Sequence, residues 1–273
     1  MKTWALALCM GIVGSGVQPA AAAAIVPHRA VYDLSLVQMR KGADLSSVTG
    51  RLAFEVDGSA CEGWSSSFRM MNRFQPTEGD TKLMDTQTTT FESGDALTMR
   101  LNQKEFLNGT LSSETRIAVS RDAVGQPGKG EQGEAGSAPF VVEGGAVFPT
   151  QHQLRLMTVA EAGASRDDST VYDGSDGDKA FHVITFIGKR KAPGTNQHDN
   201  ADQNAAALSG FASWPVTVSY YRNSGETRDT PEYQVSFDLY ENGVATSLVL
   251  DYDDFVLGGN LSRLEIGKAA PCP

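Results

Sequence analysis

Apolar and polar residues alternate with a period of two along most of this chain. Ala30, Tyr32, Leu34 and Leu36 fall on one side of a segment whose other side carries Asp33 and Ser35, the pattern of a strand with one buried face. The same alternation recurs at residues 48–56, 64–74, 83–91, 97–106 and 110–119. Asp57-Gly58, Ser93-Gly94-Asp95 and Asn108-Gly109 lie between these runs, where hairpins need residues that tolerate positive φ. An antiparallel meander is predicted.

Further strands are predicted at 169–172, 181–188, 213–222, 233–240, 245–255 and 261–266, with Asn242-Gly243 as the strongest hairpin signal. One helix interrupts them. It begins near Thr150, with Pro149 just before it, carries Leu154, Met157 and Ala160 as an apolar stripe beside Leu156 and Val159, and ends at Gly163. Core packing accounts for that stripe. Two segments break the pattern and read as mobile loops: 121–139, rich in Gly, Glu and Gln, and the polar stretch 189–210. The first does not read as a domain linker, because strands of the same kind resume after it and the two remaining cysteines lie on opposite sides of it. The expected fold is mainly β: one large antiparallel curved sheet forming a spiral or broken barrel, with the helix packed on or in it. Residues 25–273 form a single domain in this reading, and no repeat at solenoid or propeller spacing is found.

Residues 1–24 change the picture by setting the compartment. Lys2, an apolar run from Trp4 to Val17 and an alanine stretch with small-x-small sites make a cleaved secretory signal. The run is too short to span a bilayer and is broken by Gly11, Gly14 and Gly16. The expected location is the periplasm, and the mature chain is not membrane-spanning. Cys9 departs with the signal, leaving Cys61 and Cys272. Outside the reducing cytosol such thiols persist mainly as a disulfide, the alternative being separate buried thiols. Net charge is -10 for the whole chain. This acidity speaks against a nucleic-acid groove or a polybasic membrane patch and suits a soluble exported protein.

Candidate chemistry is sparse. His28, His152, His182 and His198 stand apart, without zinc-ligand spacing. His152 is the most interesting, since a first-turn imidazole is disfavoured from protonating by the backbone N–H groups there; a general base and a capping or core role both fit. No Gly-x-Ser-x-Gly elbow occurs. The acidic run Asp173-Gly174-Ser175-Asp176-Gly177-Asp178 places Asp178 where an EF-hand needs glycine, so an acidic turn explains it better than calcium. No metal or cofactor is expected. Aromatics gather late, at Trp214, Tyr220, Tyr221, Tyr233, Phe237, Tyr240, Tyr252 and Phe255, as core stacking or as the lining of a ligand groove.

Several short motifs, taken in order, resemble the EipB family, exported envelope-integrity proteins of alphaproteobacteria. They are Cys61-Glu62-Gly63-Trp64, Phe148-Pro149-Thr150-Gln151-His152, Val171-Tyr172-Asp173-Gly174, Trp214 with Tyr220-Tyr221, Pro231-Glu232-Tyr233, Asn242-Gly243-Val244, Asp251 to Phe255, and Cys272. The resemblance covers essentially the whole mature chain. It implies a periplasmic spiral, barrel-like β-sheet with a Cys61–Cys272 disulfide, a role in maintaining the envelope, and neither enzyme activity nor cofactor. Asp253 stands where a small residue is expected, and the loops at Arg121 and Lys189 read as insertions.

The expected function is therefore non-enzymatic: envelope maintenance by binding another envelope protein, of the periplasm or outer membrane, or a lipophilic component. A carrier of lipid or lipoprotein acyl chains is the alternative, and an envelope hydrolase using His152 is a third reading. Trp64, Trp214 and Tyr252 join His152 as candidate functional residues, and a monomer is expected.

Overall fold

The computed structural model describes residues 24–133, 138–195, 203–222, 230–268 and Cys272. The export signal expected over 1–24 lies, Ala24 apart, outside the described residues. The strands are β1 (His28–Met39), β2 (Ser47–Ser59), β3 (Gly63–Gln75), β4 (Lys82–Glu92), β5 (Thr98–Leu107), β6 (Thr110–Ser120), β7 (Gly128–Gln132), β8 (Ala138–Val142), β9 (Arg166–Val171), β10 (Phe181–Ile187), β11 (Ser213–Arg222), β12 (Tyr233–Tyr240), β13 (Ala245–Asp251) and β14 (Phe255–Ile266). The helices are α1 (Pro149–Glu161) and α2 (Gln203–Leu208).

All the strands join one 14-stranded sheet in the order β8-β7-β6-β5-β4-β3-β2-β1-β14-β13-β12-β11-β10-β9. The first and last strands therefore pair at the middle, and the two halves of the meander curl away from that seam. Pairing puts Ala30 opposite Phe54, and Tyr32 opposite Leu52 and Leu261. The alternation seen in the sequence thus becomes a continuous inner wall of Ala30, Tyr32, Leu34, Val48, Leu52, Leu248, Leu250 and Leu257.

Among the described residues, β8 and β9 are not hydrogen-bonded to each other, so the barrel is not closed by a ladder. The edges are instead held by one isolated parallel bridge, Val147 with Val171, and by packing. Val147, just past β8, donates to Thr170 O (2.9 Å) and accepts from Tyr172 N (2.9 Å) on the β9 side. Beyond β9, Tyr172 packs with Met99, Leu101, Ile117, Phe140 and Val142, and Gly174 lies against the Ile117 and Leu101 side chains of β6 and β5. One free edge therefore tucks inside the opposite wall, which makes the sheet a spiral.

α1 lies inside this wall. Leu156, Met157 and Ala160 are buried with Val56, Trp64, Val183, Trp214, Val218 and Leu239 from strands on facing sides of the barrel. The helix begins at Pro149, with Phe148 as an N-cap that makes no side-chain bond. Thr150 does not cap it. Its N–H and Oγ1 instead donate to the buried Glu92 carboxylate at the end of β4, at 2.9 and 2.8 Å, so a strand supplies the acceptor that satisfies the helix's free donors. Gly163, at φ 77°, ends α1 as expected: its N–H reaches Ala160 O, and Ala164 N–H reaches Val159 O, the paired bonds of a Schellman end. Leu154 is only half-buried, and Thr150 and His152 complete the buried face.

Three predicted segments are corrected. The stretch 121–139, expected as a loop, carries β7 and the start of β8; residues 134–137 within it lie outside the described residues. The strand expected at 245–255 ends at Asp251, and β14 runs unbroken from Phe255 to Ile266, so the turn falls at residues 252–254. In 189–210 a short helix, α2, is found, and residues 196–202 lie outside the described residues. At the end of the barrel where α1 starts, Cys61 and Cys272 are joined with a Cα–Cα distance of 5.7 Å, fastening the C-terminal tail to the β2–β3 turn.

Candidate functional site

α1 does not fill the barrel. Between its Pro149, His152, Gln153 and Leu156 and the inner faces of β1, β2, β3, β11, β12 and β13 lies a cavity of about 270 Å³. The wall is Tyr32, Leu52, Phe54, Phe68, Val218, Tyr220, Val235, Phe237, Leu239, Ala245 and Leu248, together with His28 and Gly243. Among the described residues, no Asp, Glu, Lys or Arg lines it. Each wall residue is there because inward positions of successive strands carry apolar side chains in register.

Polar groups around this cavity are mostly paired. Tyr32 Oη donates to Ala245 O at 2.7 Å, His28 Nδ1 lies 2.7 Å from Val26 O, and Gln153 Nε2 donates to Gly243 O at 2.7 Å. The exception is His152. Its ring is buried, 5% exposed, and Nε2 has no hydrogen-bond partner among the described residues. Burial is the main reason its pKa falls to about 4; Asp167 nearby opposes the shift and Arg155 adds to it. His28 is lowered for the same leading reason. Both imidazoles are neutral at pH 7.

A hydrolytic His152 would need a nucleophile or a carboxylate within hydrogen-bond reach. Nε2 has neither, and the nearest acid, Asp167, is held by Arg155 (2.8 Å) and Ser169 (2.5 Å). What the arrangement offers is a partly open, apolar-walled cavity beside a buried, unpartnered imidazole nitrogen.

An aromatic track leads away from the cavity. Tyr220 stacks on Tyr233 at 4.4 Å, Tyr233 faces Tyr252 at 6.5 Å, Tyr252 meets Phe255 at 5.1 Å, and Phe255 meets Phe74 at 5.8 Å. All of these rings are half-buried, and the track ends near the hairpin turns opposite the disulfide. At that end Val37, Met39, Met84, Leu107 and Leu111 are exposed.

The predicted candidates are split between these places. His152 lines the cavity and Tyr252 belongs to the track, whereas Trp64 and Trp214 are 5% and 4% exposed in the core around α1. The Asp173 carboxylate accepts from Ser175 N–H and Oγ, an ordinary turn contact. Sequence reasoning missed Tyr32, Phe54, Phe68 and Leu248 as cavity wall, and it missed Glu92 beneath the helix. Glu92 had a signal: it follows Thr86, Thr88 and Thr90 on the inward side of a strand, where a charge needs a partner. A larger groove of about 740 Å³ opens on the outer face of β2–β7, lined by Phe91, Arg100, Arg116 and Glu131 among others. It is a solvent-facing saddle, and Arg116 there is already engaged by Glu114.

Fold and cavity together define a barrel-like β protein with an unladdered seam, an internal helical plug and an apolar-walled chamber. The family model described as EipB-like matches residues 19–268, and this chain belongs to that family. Over 249 residues, covering 90% of this chain and 86% of the relative, it is 34% identical to the cell envelope integrity protein EipB of Brucella abortus strain 2308. A crystal structure of a beta-barrel-like protein of a domain of unknown function, also from Brucella abortus, superposes with a TM-score of 0.82 at 32% identity, covering 90% of this chain and all of that one.

Proposed function

We propose that this protein is a non-enzymatic periplasmic factor that maintains the cell envelope and holds a lipophilic ligand in the cavity beneath α1. The observation that carries this reading is the chamber itself: about 270 Å³ of apolar-walled space with no Asp, Glu, Lys or Arg in its lining among the described residues. The envelope role rests on family membership and on the name of the Brucella relative. The compartment is supported by the signal-like pattern of residues 1–24 and by a disulfide, which oxidising compartments preserve. At ~30 Å³ per water-sized group the chamber takes roughly nine methylenes. At about 0.8 kcal/mol each, their burial is worth ~7 kcal/mol before ordering costs, which caps the affinity of a chain of that length near ~10 µM.

Protein purified from the periplasm and examined by native mass spectrometry should carry an apolar adduct that organic solvent releases. Ala245→Phe, which fills the chamber from β13, should lose it while keeping the β circular-dichroism spectrum. A wild-type protein that carries nothing and takes up no apolar fluorescent probe would remove the reading. The exposed apolar residues at the turn end favour a second reading, docking of an envelope protein there. Met84→Lys with Leu107→Lys would then abolish complementation of an envelope-defective strain without emptying the chamber.

A further inference from the structure

We propose that the outer saddle on β2–β6 binds a neutral, β-linked oligosaccharide. The site is separate from the chamber and shares no residue with it. The saddle has a volume of about 740 Å³, and its floor comes from two hydroxyl runs in the sequence: Ser65-Ser66-Ser67 on β3 stands opposite Phe91, Thr90 and Thr89 on β4. Short side chains therefore point outward where the next outward pair along the same strands is Arg69 and Gln87, and the sheet face is hollowed there. Two rows of outward residues cross the hollow, Ser65, Phe91 and Arg100 in one and Glu55, Ser67 and Thr89 in the other.

Each row carries groups that meet a sugar. Phe91 is 37% exposed, and its ring lies over Gly63, where a Cβ would stand 3.0 Å from a ring atom. The ring rests on bare backbone and offers the saddle a flat apolar surface, on which the C–H face of a pyranose stacks. The Ser65, Ser67 and Thr89 hydroxyls make no hydrogen bond, and Arg100 no ion pair, among the described residues, which leaves donors and acceptors free for a ligand rich in hydroxyls. Glu55 adds an acceptor, held only loosely by Arg29 at 4.0 Å. Other ligands fit less well. A peptide cannot add as a strand, because β2 to β6 are paired on both sides; a lipid chain would cover these hydroxyls without giving them partners; and Arg100 with Glu55 in one hollow gives no single sign of charge to hold a polyion. At ~30 Å³ per water-sized group the saddle takes roughly 25 non-hydrogen atoms, about two sugar rings. Neighbouring strands lie about 4.8 Å apart, close to the length of one pyranose unit, so a saccharide laid across them meets one strand per ring.

The test is isothermal titration calorimetry of protein purified from the periplasm, at pH 7.5, with cellotriose, maltotriose and glucose. Cellotriose should bind in the millimolar range or more tightly, and about tenfold more tightly than glucose or the bent, α-linked maltotriose. Phe91→Ala should weaken cellotriose about tenfold, and Thr89→Arg, which fills the hollow, should abolish its binding. Both residues are exposed, so both variants should keep the β circular-dichroism spectrum and the chamber's uptake of an apolar probe. No heat from millimolar cellotriose would overturn the proposal, as would equal binding of maltotriose or affinity that survives Thr89→Arg. Each of those results leaves the lipophilic chamber standing, and a chamber that takes up no probe leaves the saddle standing. The wild-type comparison depends on no variant. Cosedimentation with purified cell-wall sacculi would identify the wall glycan as the source of the saccharide. Retention of a soluble oligosaccharide from periplasmic extract on the immobilised protein would identify a free one, and failure of both would count against the proposal.

Discussion

His152 should make this protein's stability depend on pH in a way that one substitution removes. Its pKa drops from 6.5 in the unfolded chain to about 4 in the folded one, chiefly because burial disfavours the imidazolium. The native state therefore prefers the neutral ring. The stability this gives is fully present above 6.5 and is lost as the pH falls toward 4. A shift of 6.5 minus 4, or 2.5 units, at about 1.4 kcal/mol per unit, sets a full loss of about 3 kcal/mol. At pH 5 the unfolded ring is almost wholly protonated and the folded ring almost wholly neutral, so about 2 kcal/mol has gone.

Urea unfolding followed by tryptophan fluorescence, at pH 7.5 and pH 5.0, on wild type and on His152→Gln, measures this directly. The wild-type curve alone does not isolate the histidine. His28 is depressed as well, and acts in the same direction. The buried carboxyls of Glu92 and Asp173 are raised, mainly by burial, and gain stability on acidification. These groups are common to both proteins and largely cancel in the difference. Wild type should lose about 2 kcal/mol more than His152→Gln between the two pH values. Parallel losses, within about 0.5 kcal/mol, would show that the ring is solvated or partnered, and the account of a buried, unpartnered Nε2 would fail.

Other expectations follow from the same geometry. Cys61→Ser with Cys272→Ser opens a loop spanning a sequence separation of 211, and chain entropy sets an upper loss of about 5 kcal/mol in denaturant unfolding; reduction of wild type should reproduce it, and an unchanged midpoint would contradict it. Glu92→Ala strips the acceptor from Thr150 and the counter-charge from Arg121, and should cost about 3 kcal/mol at pH 7. Glu92→Gln keeps an acceptor. Because the Glu92 carboxyl is raised, the stability it confers is greatest below its unfolded value and fades as pH rises, so Glu92→Gln should flatten that part of the acid profile in unfolding titrations. Trp64→Ala should cost about 4 kcal/mol as a core truncation while leaving probe affinity in the chamber nearly unchanged, and a selective loss of probe binding would place Trp64 in the site instead.

The strands most legible in the sequence are those whose inward positions carry apolar side chains, such as β1 with Ala30, Tyr32 and Leu34. β7 escaped because its inward positions are Gly128 and Gly130. A Cβ on Gly130 would stand 2.2 Å from the Phe140 ring of β8, and one on Gly128 2.9 Å from Val119. The neighbours fill the space, so the period-two signal is missing although the strand is real. β14 was mis-cut for the same reason. Gly258 lies under Val37, and Gly259 under Leu34 and Leu248, so a Gly-Gly pair that reads as a turn sits in mid-strand. The chamber was legible only in part. Tyr220 and Phe237, read as core or as the lining of a ligand groove, do line it, as does His152, but its wall draws on residues from His28 to Leu248, and an aromatic facing a cavity has the same alternation as one packed in a core. The lack of a partner at His152 Nε2 became visible only with the surrounding walls in place.

What keeps the chamber open is the way α1 is held. A helix free to settle would slide onto the far wall and recover the burial that an empty space forfeits, since cavities relax wherever their surroundings can move. Three polar ties oppose that movement. The Glu92 carboxylate accepts from Thr150 at the helix start, Gln153 reaches the turn at Gly243 O, and Arg155 is bound to Asp167 of β9 on another side. On the β9–β11 side, Leu156, Met157 and Ala160 are packed against Val183, Trp214 and Val218. The helix is therefore anchored in several directions at once, and the face bearing His152 and Gln153 is left standing off β1–β3 and β12–β13. The disulfide fixes the same end of the barrel from outside. An enclosure propped in this way has a defined volume before any ligand arrives, so binding need not supply the free energy to open it.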